Sequence, residues 1–119
     1  MMIPRRVVVI DDQKLTREGI HAFLRNMPEV EWVGEAANGL DGIALINNMG
    51  ADIAVMDVQM PIMNGIEATR RIKSEMPRVK VIVLSGDGDY LGDALAAGAD
   101  AFLVKGGPPE YLKNAICSV

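Results

Sequence analysis

The feature that most restricts the fold of this 119-residue chain is the stretch Ile53-Ala54-Val55-Met56-Asp57-Val58-Gln59-Met60-Pro61. Four apolar residues in succession, with β-branched Ile53 and Val55 among them, suit a strand buried on both faces, as in a parallel sheet covered by helices on each side. Pro61 cannot continue a central strand, so Asp57 falls at the strand's carboxyl end, the edge at which open α/β sheets bind their ligands. A second apolar run, Arg5-Arg6-Val7-Val8-Val9-Ile10, ends on Asp11-Asp12. If both strands are central and parallel, Asp11, Asp12 and Asp57 converge on one crevice. Three like charges at close range cannot all stay ionised without a cation. Oxygen donors with no neighbouring His or Cys favour Mg²⁺ or Mn²⁺ over Zn²⁺, and Mg²⁺ usually takes only one or two carboxylates. One carboxylate oxygen is then free to react.

After Asp12 the period changes. Leu15, Ile20, Phe23, Leu24 and Met27 fall on one side of a helix that Pro28 terminates. Val30 to Ala36 mixes charge with apolar residues, as suits a strand at or near a sheet edge. Asn38-Gly39 turns the chain into a short second helix carrying Ile43, Leu45, Ile46 and Met49, with Gly50 as its C-terminal cap. Asn64 caps a third helix that Pro77 closes, and Lys80 to Ser85 is another buried-type strand. Beyond the Gly86-Asp87-Gly88-Asp89 loop, a helix from Leu91 to Ala97 ends at Gly98. Ala101 to Val104 then forms a fifth strand that runs to Lys105, and a last helix starts at Pro109. Gly50-Ala51-Asp52 and Gly98-Ala99-Asp100 each lie between a helix and a strand, where Gly takes the left-handed cap and a short polar residue leads into the strand. Five strands alternating with five helices predict an α/β, flavodoxin-like, doubly wound parallel sheet of order 2-1-3-4-5, with right-handed crossovers.

Four strand ends thus carry Asp11 and Asp12, Asp57, Ser85 and Lys105, a set suited to phosphoryl transfer. A carboxylate attacks the phosphoryl group, a metal ion and an ammonium neutralise its oxygens, and a hydroxyl bonds a third oxygen.

With these residues the chain resembles, over essentially its whole length, a response-regulator receiver domain of two-component signalling. Asp11-Asp12 matches the family's acidic pair, Asp57 its phosphoacceptor, Met60-Pro61 and Gly65 the loop beyond, Ser85 its hydroxyl, and Lys105 its phosphate-contacting lysine. The resemblance implies that Asp12 and Asp57 ligate Mg²⁺ together with the main-chain carbonyl of Gln59, while Asp11 acts through water. It implies a sensor histidine kinase as partner, slow self-dephosphorylation and no conventional enzyme activity. Asp11 to Ile20 and Asn64 to Thr69 are similar to the NarL/FixJ (LuxR-type) regulators. Those usually carry a C-terminal helix-turn-helix, so transcription control, DNA contact through a domain beyond Val119 and homodimer formation on phosphorylation are all implied. Residues 1–119 are then one receiver domain, either cut from a longer regulator or standing alone. Two departures carry expectations. Gly106 replaces the common proline after Lys105, so that peptide is expected to be trans. Phe102 stands at the aromatic switch position without a hydroxyl, leaving Ser85 and Phe102 as the switch pair.

Composition narrows the alternatives. A net charge of −4 argues against a nucleic-acid backbone binder, which needs a basic face. The single cysteine, Cys117, offers no disulfide framework and suits a reduced cytoplasm, and no stretch is long and apolar enough to span a membrane. His21 reads as a solvated or packed residue, Trp32 and the eight methionines as packing and loop contacts, and Asp87-Gly88-Asp89 as a turn. A haloacid-dehalogenase-like phosphatase would want a second Asp two residues after the nucleophile, where Gln59 stands. A receiver-like module that acts only by protein contact is the other rival.

Overall fold

Strands buried on both faces demand helices on both faces, and this is what the computed structural model, which describes residues 3–119, contains. The strands are β1 (Arg5–Ile10), β2 (Val30–Ala36), β3 (Ile53–Met56), β4 (Lys80–Ser85) and β5 (Ala101–Val104). They form one parallel sheet of order β2-β1-β3-β4-β5. The helices are α1 (Lys14–Leu24), α2 (Gly39–Met49), α3 (Gly65–Glu75), α4 (Leu91–Ala96) and α5 (Pro109–Ser118), with a 3₁₀ turn at Gly88–Tyr90.

The two-residue period of the strands divides the core into two layers. Val8, Ile10, Ala54, Met56, Val81 and Val83 face α2, α3 and α4 through Ile46, Ala68, Ile72 and Ala94. Their neighbours Val7, Val9, Ile53, Val55 and Ile82 face α1 and α5 through Leu24, Leu112 and Ile116. Every residue of β3 is buried, whereas β2 at the edge is mostly half-buried. The pairing of β1 with β2 slips by one residue between Val7 and Val8, so Trp32 and Gly34 face successive residues of β1.

The Gly-Ala-Asp echo has a common cause. Gly50 and Gly98 hold φ of 62° and 100°, the left-handed geometry that ends a helix without a Cβ clash. The following aspartates then cap the start of a neighbouring strand. Asp52 accepts from the Arg6 N–H at 2.8 Å, and Asp100 accepts from the Val81 N–H at 2.8 Å and from Lys73 Nζ at 3.0 Å.

Three local expectations change. The first helix ends at Leu24, and Met27 reaches the core from a tight turn in which its N–H bonds the Leu24 carbonyl at 2.9 Å. Leu15 lies in the first turn of that helix but is 82% exposed, because the stripe meets the sheet only from Ile20 onward. Asn38-Gly39 is less a turn than a helix start: the Asn38 side chain accepts from the Asp41 N–H at 2.8 Å and caps α2. Asn64 does the same for α3. His21 stacks on Trp32 with ring centroids 4.1 Å apart, a packing contact.

Candidate functional site

The parallel topology levels four strand ends at one edge. Main-chain bonds extend the ladder by one residue past β1, β3 and β5: Asp11 N–H to the Ala36 carbonyl at 3.0 Å, Asp57 N–H to the Ile10 carbonyl at 2.9 Å, and Lys105 N–H to the Ser85 carbonyl at 2.8 Å. The residues that follow the apolar runs are thereby fixed side by side.

Asp11, Asp12 and Asp57 each offer an oxygen within 4.8 Å of the others. Asp11 and Asp57 are buried and Asp12 is exposed. Lys105 Nζ reaches over from the end of β5, 2.7 Å from Asp11 Oδ2 and 3.4 Å from Asp57 Oδ1. The second bond on Asp57 Oδ1 comes from the Val58 N–H at 2.8 Å. Burial, and then the charge of Asp11, push the Asp57 pKa above the usual aspartate value, against the opposing pull of Lys105 and the Val58 N–H. Burial works against the charge on Lys105, but hydrogen bonds to and charges of Asp11 and Asp57 outweigh it and raise its pKa. The donors are all oxygen, and one carboxylate is held against its preferred ionisation. That combination fits a hard divalent cation.

The nearby glycine is sterically obligatory. Gly65 opens α3 against the main chain of Asp57, where an added Cβ would lie 1.7 Å from the Asp57 carbonyl oxygen. Its N–H bonds the Val58 carbonyl at 2.8 Å, tying the helix start to the loop that carries the acid.

Ser85 is buried at the end of β4, but its hydroxyl is turned into its own loop. It donates to the Asp87 carbonyl and accepts from the Asp87 N–H, both at 3.1 Å. Phe102 is half-buried on β5 and packs with Tyr90 against the core layer of α2, α3 and α4. No cis peptide occurs among the described residues, so Lys105-Gly106 is trans, and Gly106 takes φ of 86°. The Gln59 side chain leaves the acidic cluster and donates to Tyr90 Oη at 3.0 Å. That bond joins the loop after β3 to the 3₁₀ turn after β4, and sequence spacing gave no sign of it. Nor did spacing reveal Arg17, whose guanidinium sits behind the acidic pair, 2.7 Å from the Asp11 carbonyl oxygen. Beside Lys105 an apolar groove of about 330 Å³ opens between α1 and α5, lined by Leu15, Ile20, Leu103 and Tyr111 among others.

The family model of the response regulator receiver domain matches residues 7–117. The transcriptional regulatory protein LiaR of Bacillus subtilis is 38% identical over 113 residues, covering 93% of this chain and 54% of that protein. The chain thus spans about half the length of the curated relatives it matches. A LuxR-family two-component response regulator from Aurantimonas superposes with a TM-score of 0.89 at 29% identity, covering 96% of this chain and 83% of that one. A chain of the CheX-CheY complex with beryllofluoride and magnesium from Borrelia burgdorferi gives a TM-score of 0.87 at 26% identity, covering 98% and 89%.

Proposed function

This chain belongs to the response regulator receiver family, and on that premise we propose that Asp57 is its phosphoacceptor, making the domain a phosphorylation-controlled switch. The observation that carries this reading is the placement of Asp57. It is a buried carboxylate within 4.8 Å of two others, with an ammonium 3.4 Å from one of its oxygens. In the transfer, an Asp57 oxygen attacks phosphorus, a P–O bond forms and the P–N bond to the donor histidine of a sensor kinase breaks, its electron pair remaining on the imidazole. Hydrolysis of the acyl phosphate by water then restores the carboxylate.

Asp12 and Asp57 would hold Mg²⁺ with the Gln59 main-chain carbonyl, and Asp11 through water, as the family resemblance implies. When bound, the ion neutralises charge on the phosphoryl oxygens. The chain's own residues do the rest. Lys105 already spans Asp11 and Asp57 and turns its ammonium to a phosphoryl oxygen as the group arrives. Ser85 exchanges its two bonds to Asp87 for one to another oxygen, drawing the loop from Gly86 to Asp89 inward, and Phe102 follows into the space behind it. The phosphoryl group adds charge and acceptor oxygens between a hydroxyl and an ammonium, so the two states of the loop differ in contacts and their populations shift.

The changed face of α4, β5 and α5, or the neighbouring surface of α1 and α5, then alters self-association or the grip on an output domain. LiaR is a transcriptional regulator, which supports control of transcription through a DNA-binding domain as the output here. A sensor histidine kinase in the cytoplasm is the corresponding phosphodonor.

Intact mass after incubation with acetyl phosphate and Mg²⁺ tests the assignment. The wild type should gain one phosphoryl group, EDTA should block the gain, and Asp57→Asn should show none. A modified Asp57→Asn, or full modification without metal, would sink it.

A further inference from the structure

Resting on the cation site proposed above, we infer that Arg17 is a positioning residue for the acidic pair, orienting the Asp11-Asp12 peptide, and that Glu35 holds Arg17 in place. The Asp12 side chain is exposed, and no hydrogen bond or ion pair from another described residue reaches its carboxylate. The orientation of the Asp12 main chain therefore decides where the carboxylate points. The carbonyl of Asp11 belongs to the peptide that joins Asp11 to Asp12, and Arg17 Nη1 donates to it at 2.7 Å. The other end of Asp11 is held as well, its N–H bonded to Ala36 at the end of β2. The same guanidinium donates through Nε to Glu35 Oε1 at 2.9 Å, on the residue before Ala36. One planar fork thus ties the corner between β1 and α1 to the edge strand.

The Arg17 side chain is 14% exposed and Glu35 40%, so the arginine lies against the fold while its carboxylate partner faces water. A lysine would keep the charge but lacks the rigid fork that meets a carbonyl and a carboxylate at once. A glutamine would leave the Asp11 carbonyl, on a residue that is 2% exposed, without its donor.

Charge and position predict opposite signs. Guanidinium charge near three carboxylates repels a cation, so its removal alone would tighten Mg²⁺ binding. Loss of positioning weakens it, and disturbing the groups behind a metal ligand typically costs about 10- to 100-fold in affinity.

The test is calorimetric titration of Mg²⁺ into the wild type, Arg17→Gln, Arg17→Lys and Glu35→Gln, with Arg70→Gln on α3 as a control, each also followed by backbone NMR. Arg17→Gln should bind at least about tenfold more weakly and shift the Asp12 amide resonance before any metal is added. Arg17→Lys should weaken binding despite keeping its charge, Glu35→Gln should do so to a smaller extent, and Arg70→Gln should match the wild type. Should Arg17→Gln fail to fold, Arg17→Lys and Glu35→Gln decide the question. Unchanged or tighter binding by the Arg17 variants, beside normal uptake by the wild type, would overturn the role of Arg17 alone. No uptake by the wild type would overturn the cation site itself.

Discussion

Replacing Lys105 by Met should make the metal-free domain less stable and its hold on Mg²⁺ stronger. Lys105 Nζ lies 2.7 Å from Asp11 Oδ2 and 3.4 Å from Asp57 Oδ1, in a cluster where the Asp11 and Asp57 side chains are 3% and 8% exposed and the lysine 23%. Breaking a fully buried pair by removing one partner costs about 3–5 kcal/mol, and an exposed pair contributes about 0–1 kcal/mol. The partial exposure of the lysine puts this case between them, at about 2–3 kcal/mol. For a domain of this size that lowers the melting temperature by about 8–15 °C. The same ammonium competes with any cation for the same oxygens. Once it is gone, Mg²⁺ meets two uncompensated carboxylates and has nothing to displace. Thermal melts of wild type and Lys105→Met, with EDTA and with saturating Mg²⁺, read both effects. The variant should melt lower in EDTA and gain more from Mg²⁺. Melting within about 2 °C of the wild type in EDTA, or an equal or smaller gain from Mg²⁺, would refute the reasoning.

Asp57→Asn should stabilise the metal-free domain near neutral pH. A raised native pKa means the folded state holds the proton more tightly than the unfolded chain, so ionised Asp57 opposes folding above its native pKa. That penalty fades as pH falls through the native pKa, and with it the advantage of the variant, so urea denaturation at about pH 7 and about pH 4 should show the difference shrinking. Gly65→Ala should cost about 3 kcal/mol or more and impair phosphoryl uptake, because its Cβ would lie 1.7 Å from the Asp57 carbonyl oxygen, a backbone atom with little room to retreat. Denaturant midpoints beside intact-mass phosphorylation check it, and a wild-type midpoint would contradict the packing described.

The sheet was legible in the sequence because its signal is physical and local. Strands buried on both faces need continuous apolar runs, and β1, β3 and β4 have them. The order of strands follows from alternation with helices, and alternation in turn places whatever follows each apolar run at one edge. That is why Asp11, Asp12, Asp57, Ser85 and Lys105 read from the sequence as residues of one sheet edge, of which the structure gathers the three aspartates and Lys105 and turns the Ser85 hydroxyl into its own loop. What escaped depends on contacts with no period. Met27 sits at helical spacing from Phe23 and Leu24, yet the helix tightens and stops before it. The bonds from Arg17 to the Asp11 carbonyl and from Gln59 to Tyr90 join distant segments through side-chain reach, which depends on how each helix or turn settles over the sheet. The inward turn of the Ser85 hydroxyl is likewise a choice among acceptors that the residue type leaves open.

The strands of the sheet are not equally anchored. Val7 to Ile10 and Ile53 to Met56 are almost wholly buried, while β5 is half-buried with Val104 51% exposed, and α4 is a six-residue helix that buries Ala94 alone. Little apolar area therefore opposes local opening of α4 and β5, and their amides should exchange with solvent through small openings while those of β1 and β3 await global unfolding. A ligand that redistributes such a region works against a low restoring force, whereas the carboxylates after β1 and β3 stand on the stiffest part of the molecule. The carboxylates are mounted on the anchored strands, and Lys105 reaches them from the end of the loosely held one.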